Sequence, residues 1–174
     1  MDQLRGVLFL SDPLRAGARG RNIERMLRSA DDVGRRLLSV AFPEVEKCLP
    51  HAQAALWELR RRCGWVCVAA ERGGAGVALA LAEQLPVDRV ALLGGTPFSP
   101  LPAGGTAARR RELRRMDALA RRNLALLVAE ILLVDVAEDE ARRLIRGLGR
   151  SGTVRAQGSA DWGSFVEAWE DNGK

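Results

Sequence analysis

Two side chains capable of chemistry stand together in the stretch Trp65 to Ala82, which runs Trp-Val-Cys-Val-Ala-Ala-Glu-Arg-Gly-Gly-Ala-Gly-Val-Ala-Leu-Ala-Leu-Ala. An apolar run leads into Glu71 and Arg72, and the small residues Gly73 to Gly76 open the next segment. A carboxylate at a helix start is stabilised by the helix dipole, and it can serve as general acid or base or form an ester intermediate. Arg72 offers a guanidinium to an anion, or a partner to Glu71 or Asp161. Other apolar runs are also followed by acids, among them Asp12, Asp135, Glu138 and Asp161, and by the hydroxyls of Ser11 and Thr96. Histidine, the usual proton carrier near neutral pH, occurs once, as His51 behind Pro50. Cys48, Cys63 and Cys67 are odd in number and lack metal-ligand spacing. Neither a disulfide framework nor a metal site is expected, and no cofactor is implied.

These residues need a scaffold, and the periodicity predicts one. Short runs rich in Val, Leu, Ile and Ala at 6–10, 36–42, 65–70, 89–93, 131–136 and 152–156 read as strands buried on both faces. Between them, 22–33, 49–63, 74–85, 106 to about 129, 138–148 and 162–170 carry apolar residues three and four apart and read as helices. Regular strand–helix alternation implies right-handed crossovers and the α/β class, here a three-layer sandwich around a mostly parallel sheet of about six strands. With 174 residues, 47% hydrophobic and 28% charged, the chain 1–174 is expected to form a single domain, and disorder is excluded as its main state. Ligands of such sheets gather beyond the carboxyl ends of the strands. Ser11, Asp12, Glu71, Arg72, Thr96, Asp135, Glu138 and Asp161 all fall there. The glycines after Arg72 could cradle a phosphate, but Glu71 would repel it and the dinucleotide fingerprint usually opens its domain.

Residues 69–73, Ala-Ala-Glu-Arg-Gly, resemble the G-x-S-x-G nucleophile elbow of the α/β-hydrolase superfamily, with Glu71 in the serine's place, Ala69 for the first glycine and Gly73 for the second. The likeness runs over almost the whole chain. Residues 7–13 are similar to the strand that ends in His-Gly ahead of an oxyanion loop, with Ser11 and Asp12 at those two positions. Residues 89–97, Arg-Val-Ala-Leu-Leu-Gly-Gly-Thr-Pro, are similar to the strand after the elbow helix. Residues 131–139 resemble the part that carries the triad acid, with Asp135, Glu138 or Asp139 as candidates, and 154–162 resemble the part that carries the triad histidine, where Asp161 or Trp162 stands. The resemblance implies an α/β-hydrolase-like fold truncated at its N-terminus and without a large lid. It also implies that nucleophile and base are both changed, and a serine triad works only as a unit.

Three functional readings follow. In the first, which is favoured, a non-catalytic or altered-chemistry hydrolase-fold protein binds a small molecule or a partner in a crevice near Glu71, lined by Ser11, Asp12, Arg72, Thr96 and Glu138. In the second, an esterase-like hydrolase activates water with the carboxylates Glu71 and Asp161, helped by Asp135 or Glu138. In the third, a basic adaptor binds nucleic acid or an acidic protein through seven arginines in the 106–122 helix. No aromatic side chain interleaves those arginines, so nucleic acid is not expected, and Leu113, Met116, Leu119 and Ala120 mark the buried side of a solvated helix. The net charge of +5 is carried almost wholly by arginine and speaks to solubility rather than fold. The start of the chain does not read as a signal peptide, and the longest apolar stretch, 124–136, is interrupted by Glu130. A cytoplasmic protein without membrane contact is expected, and an exposed sheet edge would permit a homodimer.

Overall fold

The computed structural model describes residues 5–10, 14, 35–40, 48–150 and 152–157. In chain order these form β1 (Arg5–Leu10), β2 (Arg35–Val40), α1 (Cys48–Arg60), β3 (Trp65–Glu71), a 3-10 turn (Arg72–Gly74), α2 (Ala75–Gln84) and β4 (Arg89–Leu93). There follow α3 (Ala107–Asn123), a second 3-10 turn (Leu124–Leu126), β5 (Glu130–Val134), α4 (Glu138–Gly147) and β6 (Thr153–Gln157). The six strands make one sheet in the order β2-β1-β3-β4-β5-β6, and every pairing is parallel. This is the α/β architecture expected from the alternation of elements. The helices anticipated at 22–33 and 162–170 lie outside the described residues.

β3 shows why the strands read as continuous apolar runs: Val66 to Ala70 are all buried, with alternate residues entering different cores. Val66, Val68 and Ala70 join the larger cluster with residues of α1, α2 and α3, whereas Cys67 and Ala69 join a smaller one with Val7, Phe9 and Leu132. A sheet with apolar contacts on both faces needs no period-two alternation of polar residues. α2 is the innermost helix, with Ala75 to Leu81 all buried, which matches its uniformly apolar sequence. α4 is its opposite, with Glu138, Asp139 and Glu140 in its first turn, Arg146 in its last and Leu144 as its buried residue.

The amino-terminal ends of three strands are tied by one residue. Asp88 Oδ2 accepts from the Val66 N–H and the Arg60 guanidinium, at 2.7 Å each, while the Asp88 carbonyl accepts from the Glu130 N–H at 3.1 Å. These bonds set the relative positions of β3, β4 and β5, and hence the alignment of their opposite ends.

One boundary departs from expectation. The helix expected to reach about residue 129 ends at Asn123, and the chain tightens into the 3-10 turn before entering β5. Leu124, Leu127 and Ala129 are the buried residues here, at spacings of three and then two, so the burial period changes from helical to extended within six residues.

Where α2 packs along α3, both carboxylate oxygens of Glu83 are buried, with the Asn123 side chain as the polar group beside them among the described residues. Burial pushes this acid up to about 7, against a smaller downward pull from Asn123. An acid with a raised folded-state value binds its proton in the folded protein where the unfolded chain has already ionised. Glu83 therefore leaves stability intact below its ordinary value of 4.5 and erodes it as pH rises towards about 7. Glu83→Gln is expected to stabilise the protein by about 1 to 2 kcal/mol above pH 7, a half-buried fraction of the 1.36 kcal/mol per pKa unit, and by almost nothing near pH 4.5. Urea denaturation at the two pH values checks this, and an equal gain at both would refute it.

Candidate functional site

The carboxyl ends of β3, β4 and β5 are level, because Glu71 pairs in register with Leu93 and Leu93 with Val134. The residues at or just beyond that edge are Glu71, Gly94 and Asp135. Gly94 has φ 77°, and its N–H donates to the Val134 carbonyl at 2.9 Å. Asp135 is exposed with φ 54°, a left-handed backbone that aspartate tolerates better than most residues. The two left-handed residues turn the chain away from adjacent strands and leave Asp135 exposed at the carboxyl edge of the sheet.

Glu71 ends β3 and precedes the 3-10 turn that opens α2. Its backbone lies at φ −70° and ψ 167°, an ordinary extended conformation, and its half-buried side chain makes no capping bond to the turn. Small residues let the turn sit close to the sheet: a Cβ on Gly74 would lie 3.2 Å from Leu10 Cβ and 3.4 Å from the Leu10 carbonyl oxygen.

Arg72 points into the protein rather than into the crevice edge. Its side chain is 8% exposed and pairs with Asp117 of α3, 6% exposed, at 3.0 Å. Nη1 reaches the other Asp117 oxygen at 3.3 Å, Nε donates to the Ser99 carbonyl at 3.0 Å, and Nη2 donates to that carbonyl as well. Among the described residues Arg72 pairs with Asp117 and not with Glu71, because the residue after the strand alternates onto the face where α2 and α3 pack, while the alternative partner Asp161 lies outside the described residues. Asp117 also accepts from the Gly76 N–H, and burial still pushes its carboxyl up from the ordinary value despite the pull of Arg72 and Arg121. The loop after β4 closes over the guanidinium: a Cβ on Gly95 would lie 2.5 Å from Arg72 Cδ.

Within that loop Thr96 is fully buried and its hydroxyl accepts from the Phe98 N–H at 3.1 Å, while the Thr96 N–H donates to Ser99 Oγ at 2.8 Å. Ser99 Oγ in turn donates to Glu140 of α4. Arg72 and Thr96, counted among ligand-contacting residues from sequence, are committed here to holding the loop. Glu138 is exposed and pairs with Arg142 one turn on. Ser11, Asp12 and Asp161 lie outside the described residues. Asp117, Ser99 and Glu140 were not anticipated. Asp117 had a signal, since it shares one helix face with Leu113, Met116 and Ala120.

The remaining reactive groups are placed away from chemistry. Cys48, Cys63 and Cys67 are buried and form no disulfide, and burial pushes Cys48 up to about 11 and Cys67 up to about 12. Thiolate nucleophiles are not available there. His51 is exposed in the first turn of α1. Among the described residues no group of three or more His, Cys, Asp or Glu could hold a metal ion, and no helix is long and apolar enough to cross a membrane.

No family model and no curated protein sequence matches the chain. Solved structures do. One reported with LipS and LipT, two metagenome-derived lipolytic enzymes, superposes with a TM-score of 0.72 over 96% of this chain and 92% of that one, at 12% identity. Est1E from Butyrivibrio proteoclasticus gives 0.67 over 98% and 87%, at 10% identity, and the Paleococcus ferrophilus monoacylglycerol lipase gives 0.58 over 95% and 91%, at 14% identity. The chain has the α/β-hydrolase fold. At such identities the likeness concerns the fold alone. The hydrolase fold accounts for the level carboxyl edge of β3, β4 and β5 and for the strand–turn–helix at Glu71, while the residues at that edge are this chain's own.

Proposed function

We propose that this protein uses the crevice at the carboxyl edge of its hydrolase fold to bind a small molecule or a partner without hydrolysing it. The observation that carries the reading is the relaxed backbone of Glu71, at φ −70° and ψ 167°. In hydrolases of this fold the nucleophile sits on a strained strand-to-helix turn that thrusts its side chain into the site. Strain of that kind persists where function uses it and relaxes where it does not. A glutamate in place of serine together with an unstrained turn leaves neither the serine hydroxyl nor the geometry that would present it. The neighbouring Arg72, buried against Asp117, supports a turn built for rigidity.

The second reading keeps hydrolysis, with Glu71 and Asp161 activating water and Asp135 assisting. It draws on the neighbours, which are lipolytic enzymes and esterases, and on the exposure of Asp135 at the carboxyl edge of the sheet. A panel of short acyl esters and a fluorophosphonate probe separate the two. The expected result is neither turnover nor labelling above a denatured control. Ester turnover that Glu71→Gln abolishes would establish the hydrolase instead.

A further inference from the structure

The arginines of α3 are not used alike. Arg110 donates to the Pro102 and Gly104 carbonyls, Arg115 pairs with Glu112, and Arg121 donates to the Pro97 carbonyl at 3.2 Å. Arg111, Arg114 and Arg122 are exposed and make no hydrogen bond or ion pair among the described residues. At 100° per residue they fall within about 80° of arc and span about 16 Å of helix. Leu113, Met116, Asp117 and Ala120 occupy the opposite, buried side. In the segment that follows α3 in the chain, Leu126 is 68% and Val128 73% exposed.

We propose that this face docks the protein on an anionic lipid bilayer. Arg111, Arg114 and Arg122 meet headgroup phosphates and carboxylates, and Leu126 and Val128 enter the boundary between headgroups and acyl chains. The argument is charge complementarity together with continuity: a basic helix face joined to exposed apolar side chains suits an interface that is anionic outside and apolar within. A nucleic acid would use the arginines but has no use for Leu126 and Val128, and no aromatic side chain lies among the arginines to stack on bases. The absence of a spanning segment does not bear on docking, which leaves the protein at the surface. α3 runs from the carboxyl end of β4 back to the amino end of β5, so Leu126 and Val128 lie at the opposite end of the sheet from Glu71 and Asp135.

Co-sedimentation with vesicles of phosphatidylcholine, alone or with about 30% phosphatidylserine, tests the proposal. Binding is expected to the anionic vesicles only, and to weaken as salt rises. The variant Arg111→Glu/Arg114→Glu/Arg122→Glu is expected to lose at least about tenfold in affinity, whereas the corresponding triple change to lysine keeps most of it. Leu126→Ser/Val128→Ser is expected to weaken binding several-fold. All these positions are exposed, and circular dichroism melts establish that the variants stay folded. The wild-type salt and lipid dependence stands even if a variant does not fold. Absence of binding to anionic vesicles, equal binding to both vesicle types, or full binding by the triple glutamate variant would overturn the proposal. So would tight binding to duplex DNA that Leu126→Ser/Val128→Ser leaves unchanged, which would assign the face to nucleic acid.

Discussion

Arg72→Met is expected to lower the unfolding free energy by about 3 to 5 kcal/mol, the range found when one partner of a buried ion pair is removed. The methionine fills much of the arginine's volume, so the loss is chiefly electrostatic. Asp117 keeps a carboxylate that is 6% exposed with its principal counter-charge gone, and the Ser99 carbonyl loses its two guanidinium donors. Asp117→Leu is expected to do similar damage from the other side, by stranding the guanidinium. The double variant Arg72→Met/Asp117→Leu is expected to regain most of the loss, because desolvation and attraction in such pairs nearly cancel when both charges go together. Burial displaces the Asp117 carboxyl upward even beside an arginine, the direction that desolvation gives. Urea denaturation of the four proteins closes the cycle. A single Arg72→Met cost below about 1 kcal/mol would mean that the pair is solvated in solution. It would also return Arg72 to the ligand-binding role that its place after β3 suggests.

The sheet was legible in the sequence because its inner strands β1, β3, β4 and β5 are buried apolar runs. A run such as Val66 to Ala70 admits few other environments, and six such runs with helical segments between them leave few topologies. The end of α3 was less legible. Leu124 continues the helical apolar spacing, and only the change of spacing at Leu127 and Ala129 marks the turn into β5. The site was legible in residue identity more than in geometry. The pattern 69–73 locates the strand-to-helix turn and places Glu71 on it, but residue spacing carries no backbone angle, so the extended φ of −70° at Glu71 was not legible there. The partner of Arg72 was hidden for a different reason. Asp117 is separated by 45 residues in sequence, and the two meet only because α3 packs on α2. Ser99 and Glu140 meet likewise across 41 residues, through a loop whose path periodicity does not describe.

The packing that brings Asp117 to Arg72 depends on one missing side chain, so Gly76→Ala is expected to destabilise the protein by about 2 to 3 kcal/mol, within the range for overpacked interiors. In a solvated helix the same change would stabilise by up to about 1 kcal/mol, so the sign itself is diagnostic. A Cβ on Gly76 would lie 2.5 Å from Asp117 Oδ1, 2.6 Å from Asp117 N and 2.8 Å from Met116 C. A side-chain oxygen can rotate aside, but two of these three atoms belong to the α3 backbone, so relief requires the helices to separate. Separation also draws Asp117 from Arg72 and from the Gly76 N–H that it accepts, coupling the packing fault to the buried pair. Gly74→Ala is the fitting comparison. Its nearest contacts, 3.2 Å to Leu10 Cβ and 3.4 Å to the Leu10 carbonyl oxygen, ask for shifts of a few tenths of an ångström. Its effect is expected to stay below about 1 kcal/mol. Equal stabilities for the two variants in urea denaturation would show that α2 and α3 can part without loss, and that the turn at Glu71 is not held rigid from that side.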